Sequence, residues 1–325
     1  MKAIMNCEYG VDNLQLRELE KPTPNDNEVL VRVRAASINP VDGHMMRGSW
    51  LMRPMSGMRK PKNTRFGTDF SGVVEAVGKD VTSVKPGDEV FGAKNGAVAE
   101  YVCVKAERAI VMKPNNVTFE QAGSVAVAGL TALQGLRDKG RIQAGQKVLV
   151  NGASGGVGTF AVQIAKAFGA EVSGVCSTRN VDLVKSIGAD HVIDYTKEDF
   201  TKTDQRYDMI YDLVGNHSFS ERRNILKSNG ICVLAGVGGA GLHPGMWGRV
   251  LGNFATVFRS KFTSQKFVFY IATLTKDDLN VLRDLMQSGK VSPVIDRTYK
   301  ISETQAAVRY LEEGHARGKV VITTD

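Results

Sequence analysis

The sequence contains few cysteines, and those present are far apart. Only four occur in 325 residues, and none belongs to a CxxC pair or another short spacing: Cys7, Cys103, Cys176 and Cys232. Metal sites need ligands at short, fixed spacings, and secreted disulfide frameworks are denser than this. The pattern argues against both, and it predicts reduced thiols in a reducing compartment.

Long unbroken apolar runs are missing as well. Two uncharged windows, residues 148–165 and 228–248, are long enough to raise the question of a membrane helix. A glycine turn breaks the first window, and the second carries seven glycines with His243 and Pro244. The opening segment MKAIMNCEYG has no apolar signal core. We therefore expect a cytoplasmic protein without stable membrane insertion.

The sequence has no block of like charge, no internal repeat and no low-complexity segment. Lysine and arginine number 42 against 34 aspartates and glutamates, giving a net charge of +8 that is dispersed along the chain. Dispersed charge is typical of a solvated surface, so nucleic acid is not an expected partner, whereas an anionic small ligand is. The length and ordinary composition favour two globular domains.

The pattern of secondary structure changes near residue 120. Before it, short strands alternate with turns, and EVLVRVRA (residues 28–35) predicts a half-buried strand. Beyond it, strand-like and helical segments alternate, which predicts a parallel sheet with crossover helices. The predicted strands are residues 148–150, 171–176, 191–193, 207–214 and 231–236. The tail predicts one helix, with Leu279, Leu282, Leu285 and Met286 on one face, and a last strand in GKVVITT.

A glycine-rich turn follows the first of these parallel strands. The stretch VLVNGASGGVG (residues 148–158) contains Ala153-x-Gly155-x-x-Gly158 and opens a helix, which is the context of a dinucleotide fingerprint. The pyrophosphate of a dinucleotide would bind at the helix N-terminus. A tight strand–helix connection without ligand is the alternative, since the first glycine of the fingerprint is alanine here. The predicted binding residues are Ala153, Ser154, Gly155, Gly156 and Val157.

The end of the second parallel strand predicts the coenzyme. A site for NAD usually has Asp or Glu there, about twenty residues after the turn, but this chain has Ser177, Thr178 and Arg179. Hydroxyls and a guanidinium favour a 2′-phosphate, so the sequence predicts NADP(H). Tyr195, after the third strand, is a candidate for contact with the adenosine. A solvent-exposed arginine and a packing tyrosine are the alternatives.

Several motifs together resemble the medium-chain dehydrogenase/reductase superfamily, in its zinc-free quinone oxidoreductase (zeta-crystallin-like) and alkenal/enone reductase branch. They run in family order over nearly the whole chain: INPVDGHMMRG, FGTDFSGVVEAVG, VKPGDEVFG, AVAGLTAL, NGASGGVGTFAVQIAKAFGAEV, GADHVIDY, DLVG and GKVVI. The resemblance implies an α/β fold, a Rossmann doubly wound parallel sheet inserted in a GroES-like β-rich catalytic domain, and a homodimer. We assign residues 1–122 and 272–325 to the GroES-like domain and 123–271 to the Rossmann domain.

The same resemblance implies that the chain uses no metal. Zinc members of the superfamily carry Cys where this chain has Asn39, and His-Glu where it has Thr68-Asp69. These replacements do not offer the three converging ligands that a catalytic zinc needs. Without a Lewis acid, quinones and α,β-unsaturated carbonyls are the easier acceptors, because their reduction product spreads its negative charge.

The resemblance also points to individual residues. Asn39 is the expected catalytic residue, a polar group beside the nicotinamide and the substrate carbonyl, although an Asn before Pro40 is equally typical of a turn. Asp42 is expected only to brace that loop. Thr131, Val214, Val237 and Phe269 match positions that enclose the nicotinamide half of the coenzyme. Lys319 matches a tail position near the coenzyme, but an exposed structural lysine is the expectation. His44, Tyr270 and His243 are untested candidates for a proton donor.

Two hypotheses of function follow. The first is an NADPH-dependent, zinc-independent reductase of quinones or α,β-unsaturated carbonyls. The second is a non-catalytic NADPH-binding sensor or structural protein with some nucleic-acid affinity, which the net charge and the lack of an obvious acid or base leave open. The aromatic segment 241–270 is expected to form a substrate lid, a dimer surface or both, and residues 48–66 a flap.

Overall fold

The computed structural model describes residues 1–48, 53–235 and 256–324. Its strands are β1 Lys2–Asn6, β2 Leu14–Glu18, β3 Glu28–Ile38, β4 Asp69–Val77, β5 Glu89–Ala93, β6 Tyr101–Lys105, β7 Ile110–Met112, β8 Lys147–Asn151, β9 Glu171–Cys176, β10 His191–Asp194, β11 Tyr207–Asp212, β12 Leu226–Ala235, β13 Lys266–Tyr270, β14 Ile295–Lys300 and β15 Lys319–Thr323.

The helices are α1 Pro40–Arg47, α2 Arg53–Ser56, α3 Phe119–Ala122, α4 Ala126–Gln134, α5 Gly156–Ala167, α6 Val181–Ser186, α7 Phe219–Asn224, α8 Lys276–Gln287 and α9 Thr304–Glu312. A π-helical turn, Gly135–Lys139, follows α4. No helix in the described part of the chain is both long enough and apolar enough to cross a membrane.

The chain forms two compact units. The first contains residues 1–130, 274–289 and 293–325, and the second contains residues 131–273 and 290–292. In the first unit, a sheet in the order β14-β15-β3-β4-β5-β7, with β6 also paired to β3, is antiparallel except between β14 and β15. This is the expected β-rich GroES-like domain.

The second unit contains the predicted parallel sheet. Its order is β10-β9-β8-β11-β12-β13, and every pair is parallel. Numbered from β8, this order is 3-2-1-4-5-6, the order of doubly wound dinucleotide-binding folds. The Rossmann prediction is therefore confirmed, and ligand contacts are expected beyond the carboxyl ends of β8 and its neighbours.

Two elements differ in part from the sequence prediction. Strand β3 is half-buried as predicted, with Val29, Val31 and Val33 buried and Arg32 exposed, but Leu30 is buried as well. Strand β12 begins at Leu226, five residues before the predicted start. The pairing of β12 with β11 has a register shift at this end of the strand. Such a shift interrupts the regular strand pattern by which the first residues of β12 could have been recognised in the sequence.

Candidate functional site

The glycine turn lies between β8 and α5, at the carboxyl edge of the parallel sheet. Gly152 has φ +89°, a conformation that favours glycine. At Gly158 a Cβ atom would lie 2.0 Å from the carbonyl oxygen of Gly152, so only glycine fits. Ala153 is fully buried beneath the turn, where its methyl group would be 3.0 Å from a Cβ at Gly174 of β9. The turn therefore closes tightly against the sheet.

Gly155 differs from these glycines because it has space above it. It is the N-cap residue of α5, and a Cβ there would meet one atom within 4 Å, the carbonyl oxygen of Gly152 at 3.5 Å. Gly156 and Val157 form the first turn of α5, where N–H groups have no acceptor within the helix. These donors and the open space suit the pyrophosphate of a dinucleotide. The turn thus fits the coenzyme predicted for it.

The three residues predicted to bind a 2′-phosphate follow β9, but their side chains differ. Thr178 and Arg179 are exposed, and Ser177 is half-buried. The Thr178 hydroxyl donates to Asp194 Oδ2 at 2.6 Å, and this bond, together with hydrogen bonds from Thr196 and the charge of Lys197, lowers the pKa of Asp194 to about 2. Tyr195, the next residue after β10, is 57 % exposed. The Thr178 hydrogen is therefore used by a carboxylate, which leaves Ser177 and Arg179 as the better partners for an anion.

Asn180 links the glycine turn to the end of β9, and sequence reasoning missed it. Its Nδ2 donates to Ser154 Oγ at 3.0 Å and to Ser177 Oγ at 3.2 Å. The side chain is 5 % exposed, and its Oδ1 has no hydrogen-bond partner among the described residues. The sequence hints at a role for Asn180 only through its position directly after Ser177, Thr178 and Arg179. The contact with Ser154 is not visible in the sequence because it joins residues 26 positions apart.

Val214 is placed beside the glycine turn. A Cβ atom at Gly152 would lie 2.9 Å from Val214 Cγ2. The loop that carries Val214 is fixed by Asp212, whose Oδ1 accepts from the Val214 N–H at 3.1 Å and from Asn151 Nδ2 at 2.9 Å. Asp212 also forms a buried ion pair with Arg222 of α7, at 2.9 Å. The structure therefore brings together the ends of β8 and β11.

Thr131 lies on α4 against two tyrosines at the ends of β11 and β13. Its carbonyl accepts from Tyr211 Oη at 2.9 Å and from Tyr270 Oη, and the two hydroxyls are 2.8 Å apart. Burial raises the pKa of both tyrosines, so each keeps its proton. Phe269 packs against the apolar core of the unit. Val237, the remaining predicted contact, lies outside the described residues.

Asn39, in the other unit, belongs to a buried polar network. It is the N-cap residue of α1, with Pro40 at the first helical position, so the alternative of a plain turn is wrong. Its Nδ2 donates to Asp69 Oδ2 at 3.0 Å, and its Oδ1 accepts from Lys319 Nζ. Asp69 also accepts from the Ser37 hydroxyl at 2.9 Å and from the Val127 N–H at 2.9 Å. The Asn39 amide is thus held in one orientation.

Lys319 is the main correction to the sequence prediction. It is 3 % exposed, not an exposed structural lysine, and its ammonium lies 3.5 Å from Asp69 Oδ2. Burial lowers the pKa of Lys319 against the opposing effect of Asp69 and Asp42. Lys319 begins strand β15, and its side chain lies in the buried network of Asn39 and Asp69. A Gly-Lys pair in the sequence does not reveal that burial.

Asp42 braces the loop, as expected. Its Oδ2 accepts from the backbone N–H of Asn39 at 2.8 Å, and its Oδ1 accepts from the Thr68 hydroxyl at 2.7 Å. Burial raises the pKa of Asp42 to about 6, with Asp69 acting in the same direction and both hydrogen bonds opposing it. Asp42 therefore holds its proton more strongly than an exposed aspartate.

The proton-donor candidates are in different surroundings. His44 is buried on α1, both ring nitrogens lack hydrogen-bond partners in the described part of the chain, and burial lowers the pKa of its ring. A neutral His44 is therefore expected near neutral pH. Tyr270 is engaged with Thr131 and Tyr211. His243 falls outside the described residues, as does part of each proposed lid and flap segment.

Taken together, the parallel sheet and its glycine turn define a Rossmann-type dinucleotide-binding unit in a chain with a separate β-rich unit. Residues 25–115 match the alcohol dehydrogenase GroES-like domain, and residues 187–322 match the zinc-binding dehydrogenase family. The chain belongs to the medium-chain dehydrogenase/reductase superfamily, in its quinone and alkenal/one oxidoreductase branch.

Individual relatives are similar over nearly the whole length of this chain. The chain is 35 % identical to the chloroplastic NADPH-dependent alkenal/one oxidoreductase of Arabidopsis thaliana, over 99 % of this chain and 79 % of the relative. The quinone oxidoreductase from Coxiella burnetii is 30 % identical over 100 % and 99 % of the two chains, with a TM-score of 0.86. The Escherichia coli quinone oxidoreductase complexed with NADPH is 26 % identical over 99 % and 100 %, with a TM-score of 0.82.

Proposed function

We propose that the protein is an NADPH-dependent, zinc-independent reductase of quinones or α,β-unsaturated carbonyls. The observation that carries the proposal is the carboxyl edge of the parallel sheet. There Gly155 leaves room for a pyrophosphate, and the Ser154 and Ser177 hydroxyls lie within reach of one amide beside Arg179. The names of two relatives, the NADPH-dependent alkenal/one oxidoreductase of Arabidopsis thaliana and the quinone oxidoreductase of Escherichia coli complexed with NADPH, support the same coenzyme and the same acceptors.

The proposed coenzyme contacts are those of the sequence analysis. They divide into the pyrophosphate turn, the 2′-phosphate end with Tyr195, and the nicotinamide end: Ala153, Ser154, Gly155, Gly156 and Val157; Ser177, Thr178, Arg179 and Tyr195; Thr131, Val214, Val237 and Phe269. Bound NADPH supplies a hydride. The residues of the chain bind the coenzyme, orient it and exclude water from it.

The acceptor class follows from what lies at the positions of the zinc ligands. Lys319 donates to Asn39, which replaces a zinc-ligating cysteine, and it is paired with Asp69. An ammonium beside these oxygens disfavours a second cation there, because like charges repel strongly in a buried site. The chain therefore needs acceptors whose reduced oxygen is stabilised without a metal, which are conjugated carbonyls and quinones.

Asn39 is the proposed hydrogen-bond donor to the acceptor. Asp69 takes one of its two Nδ2 hydrogens, and Lys319 holds its Oδ1. The second Nδ2 hydrogen would donate to the carbonyl oxygen of the acceptor as negative charge develops there. When a hydride adds to the β-carbon of an enone, the electron pair of the double bond moves towards this oxygen, and the enolate takes a proton from solvent.

An acceptor panel tests the proposed function. Chelator-treated protein is mixed with NADPH or NADH and with menadione, methyl vinyl ketone or an unconjugated ketone, and coenzyme oxidation is followed by absorbance. We expect turnover with NADPH and at least one conjugated acceptor, and none with the unconjugated ketone. No turnover with any conjugated acceptor, or activity that needs added zinc, contradicts the proposal.

We further propose a homodimer in the cytoplasm. Strand β13 ends the described parallel sheet, and Phe258, Phe262 and Ile271 near it are more than half exposed. Among the described residues β13 has a neighbour on one side only, and exposed apolar groups close to such an edge strand favour pairing with a second copy. Light scattering after gel filtration should give twice the chain mass, and a monomer at micromolar concentration contradicts this. Fractionation of cells tests the compartment.

A further inference from the structure

We propose that Asn180 is the positioning residue that sets the preference for a coenzyme with a 2′-phosphate. It does so by presenting the hydroxyl hydrogens of Ser154 and Ser177 to that phosphate. The inference deepens the proposed function and rests on its coenzyme, but it concerns a residue with no obvious role in the sequence.

The contacts of Asn180 connect two segments that are far apart in the chain. Its two Nδ2 hydrogens reach Ser154 Oγ, in the glycine turn, at 3.0 Å and Ser177 Oγ, after β9, at 3.2 Å. Its own N–H donates to the Ser177 carbonyl at 2.9 Å, which fixes the backbone of the amide. One buried side chain thus sets the positions of two half-buried hydroxyls.

Counting hydrogens shows what these hydroxyls can do. A serine hydroxyl has one hydrogen to donate and two lone pairs to accept. Asn180 occupies one lone pair of each serine as a donor, so neither serine spends its hydrogen on Asn180. Both hydrogens remain available for an anion, and bonds from donors to phosphate are among the stronger hydrogen bonds in proteins.

Neighbouring polar groups agree with this assignment. The Thr178 hydroxyl donates to Asp194, so it is the serines that keep their hydrogens. Asp194 accepts three more contacts, from Thr196 N and Oγ1 and from Lys197, and its charge is thereby offset. The Oδ1 of Asn180 is a buried acceptor with no partner in the described ranges. A phosphorylated ribose offers both an anion for the serines and a hydroxyl donor for this oxygen.

The test compares coenzyme affinities, not only activity. Dissociation constants for NADP⁺ and NAD⁺ are measured by calorimetry on the full chain, together with adenosine 2′,5′-bisphosphate and adenosine 5′-monophosphate as fragments. We expect Asn180→Ala to weaken NADP⁺ and the bisphosphate by about tenfold or more, with the other two ligands changing far less. Ser154→Ala and Ser177→Ala should each move the same ratio in the same direction.

Asn180→Asp is the informative isosteric variant. An ionised aspartate only accepts, so both serine hydrogens would turn towards it and the 2′-phosphate would lose two donors. We expect its NADP⁺/NAD⁺ preference to fall below that of Asn180→Ala. Ser186→Ala, which removes a hydroxyl that donates to the Leu183 carbonyl on α6, is the matched control and should leave the ratio unchanged.

The outcomes separate this inference from the proposed function. If the unchanged protein prefers NAD⁺, the proposed coenzyme is wrong. If it prefers NADP⁺ and Asn180→Ala weakens both coenzymes equally, Asn180 is merely structural and the inference is overturned. Thermal unfolding of each variant identifies any that fails to fold, and the two serine variants then decide the question.

Discussion

The two units contain polar clusters of opposite character. Around Asn39, in the β-rich unit, charged and polar groups are buried and satisfy one another, with Lys319 between Asn39 and Asp69. At the carboxyl edge of the parallel sheet, Ser154 and Ser177 are half-buried and keep hydrogens to donate. We infer that changes to Lys319 and Asp69 in the first cluster act mainly on stability, and that changes in the second cluster act mainly on coenzyme affinity.

Removal of the buried cation should give the largest effect. Lys319→Met leaves Asp69, which is fully buried, without its ammonium partner, and breaking a buried ion pair in this way costs about 3–5 kcal/mol. Lys227→Met, which breaks an exposed pair with Asp208, should cost about 1 kcal/mol or less. Urea unfolding of both variants measures the difference. Similar losses for the two lysines would contradict the buried network.

The pH dependence of stability tests Asp42. Burial raises its pKa to about 6 in the folded chain, so folding favours the protonated form. Its contribution is therefore greatest at low pH and is lost as the pH rises through about 4 to 6. Asp42→Asn removes this dependence. The stability advantage of the unchanged protein over the variant should shrink by roughly 2–3 kcal/mol between about pH 4 and pH 7.

Urea unfolding at several pH values measures this advantage. Asp80→Asn, at an exposed position, serves as the control. An advantage of Asp42 that grows with pH would show that its carboxyl is stabilised as an anion, against the expectation from its burial.

A substitution in the glycine turn should weaken coenzyme binding without impairing folding. Gly155→Ala places a methyl group in the space at the start of α5, 3.5 Å from the carbonyl oxygen of Gly152. Gly155 has φ −80°, which alanine adopts freely, so stability should change by less than about 1 kcal/mol. Coenzyme affinity should fall by about tenfold, because the pyrophosphate needs close approach to the backbone.

Gly158→Ala is the matched comparison for this variant. Its Cβ would lie 2.0 Å from a backbone oxygen, so the turn itself must shift and stability should fall together with binding. Calorimetric binding and urea unfolding of both variants check the pair. Unchanged coenzyme affinity in Gly155→Ala would show that the pyrophosphate does not bind at this turn.

The smallest effect is expected at the tyrosine pair. Tyr270→Phe removes one hydroxyl that donates to the Thr131 carbonyl, but Tyr211 stays within reach of the same oxygen at 2.9 Å. We expect a loss of about 1 kcal/mol or less. Full retention of turnover in this variant would remove Tyr270 from the proton-donor candidates, whereas a large fall in turnover with normal coenzyme affinity would restore it.

Much of the second unit could be predicted because its signals are local. Strand β9 has the bounds predicted for it, β8 is one residue longer at each end and β10 is one residue longer at its C-terminal end, since apolar runs bounded by turns are visible in any short window. The glycine turn is equally local. Helix α1 was missed, although Asn39, Pro40 and Asp42 together form a helix-start signature that a reader could have recognised.

The amino-acid sequence by itself determined the strand and helix periodicity, the glycine turn and the hydroxyl-rich end of β9, because each depends on residues close together in the chain. Only the tertiary structure decided that Lys319 is buried against Asn39 and Asp69, that Thr178 is used by Asp194, and that Asn180 holds Ser154 and Ser177. Those contacts join residues 16 to 280 positions apart, except for that of Asn180 with Ser177. Hydrogen-bond partners across such distances are chosen by sheet order and burial, which no local pattern encodes.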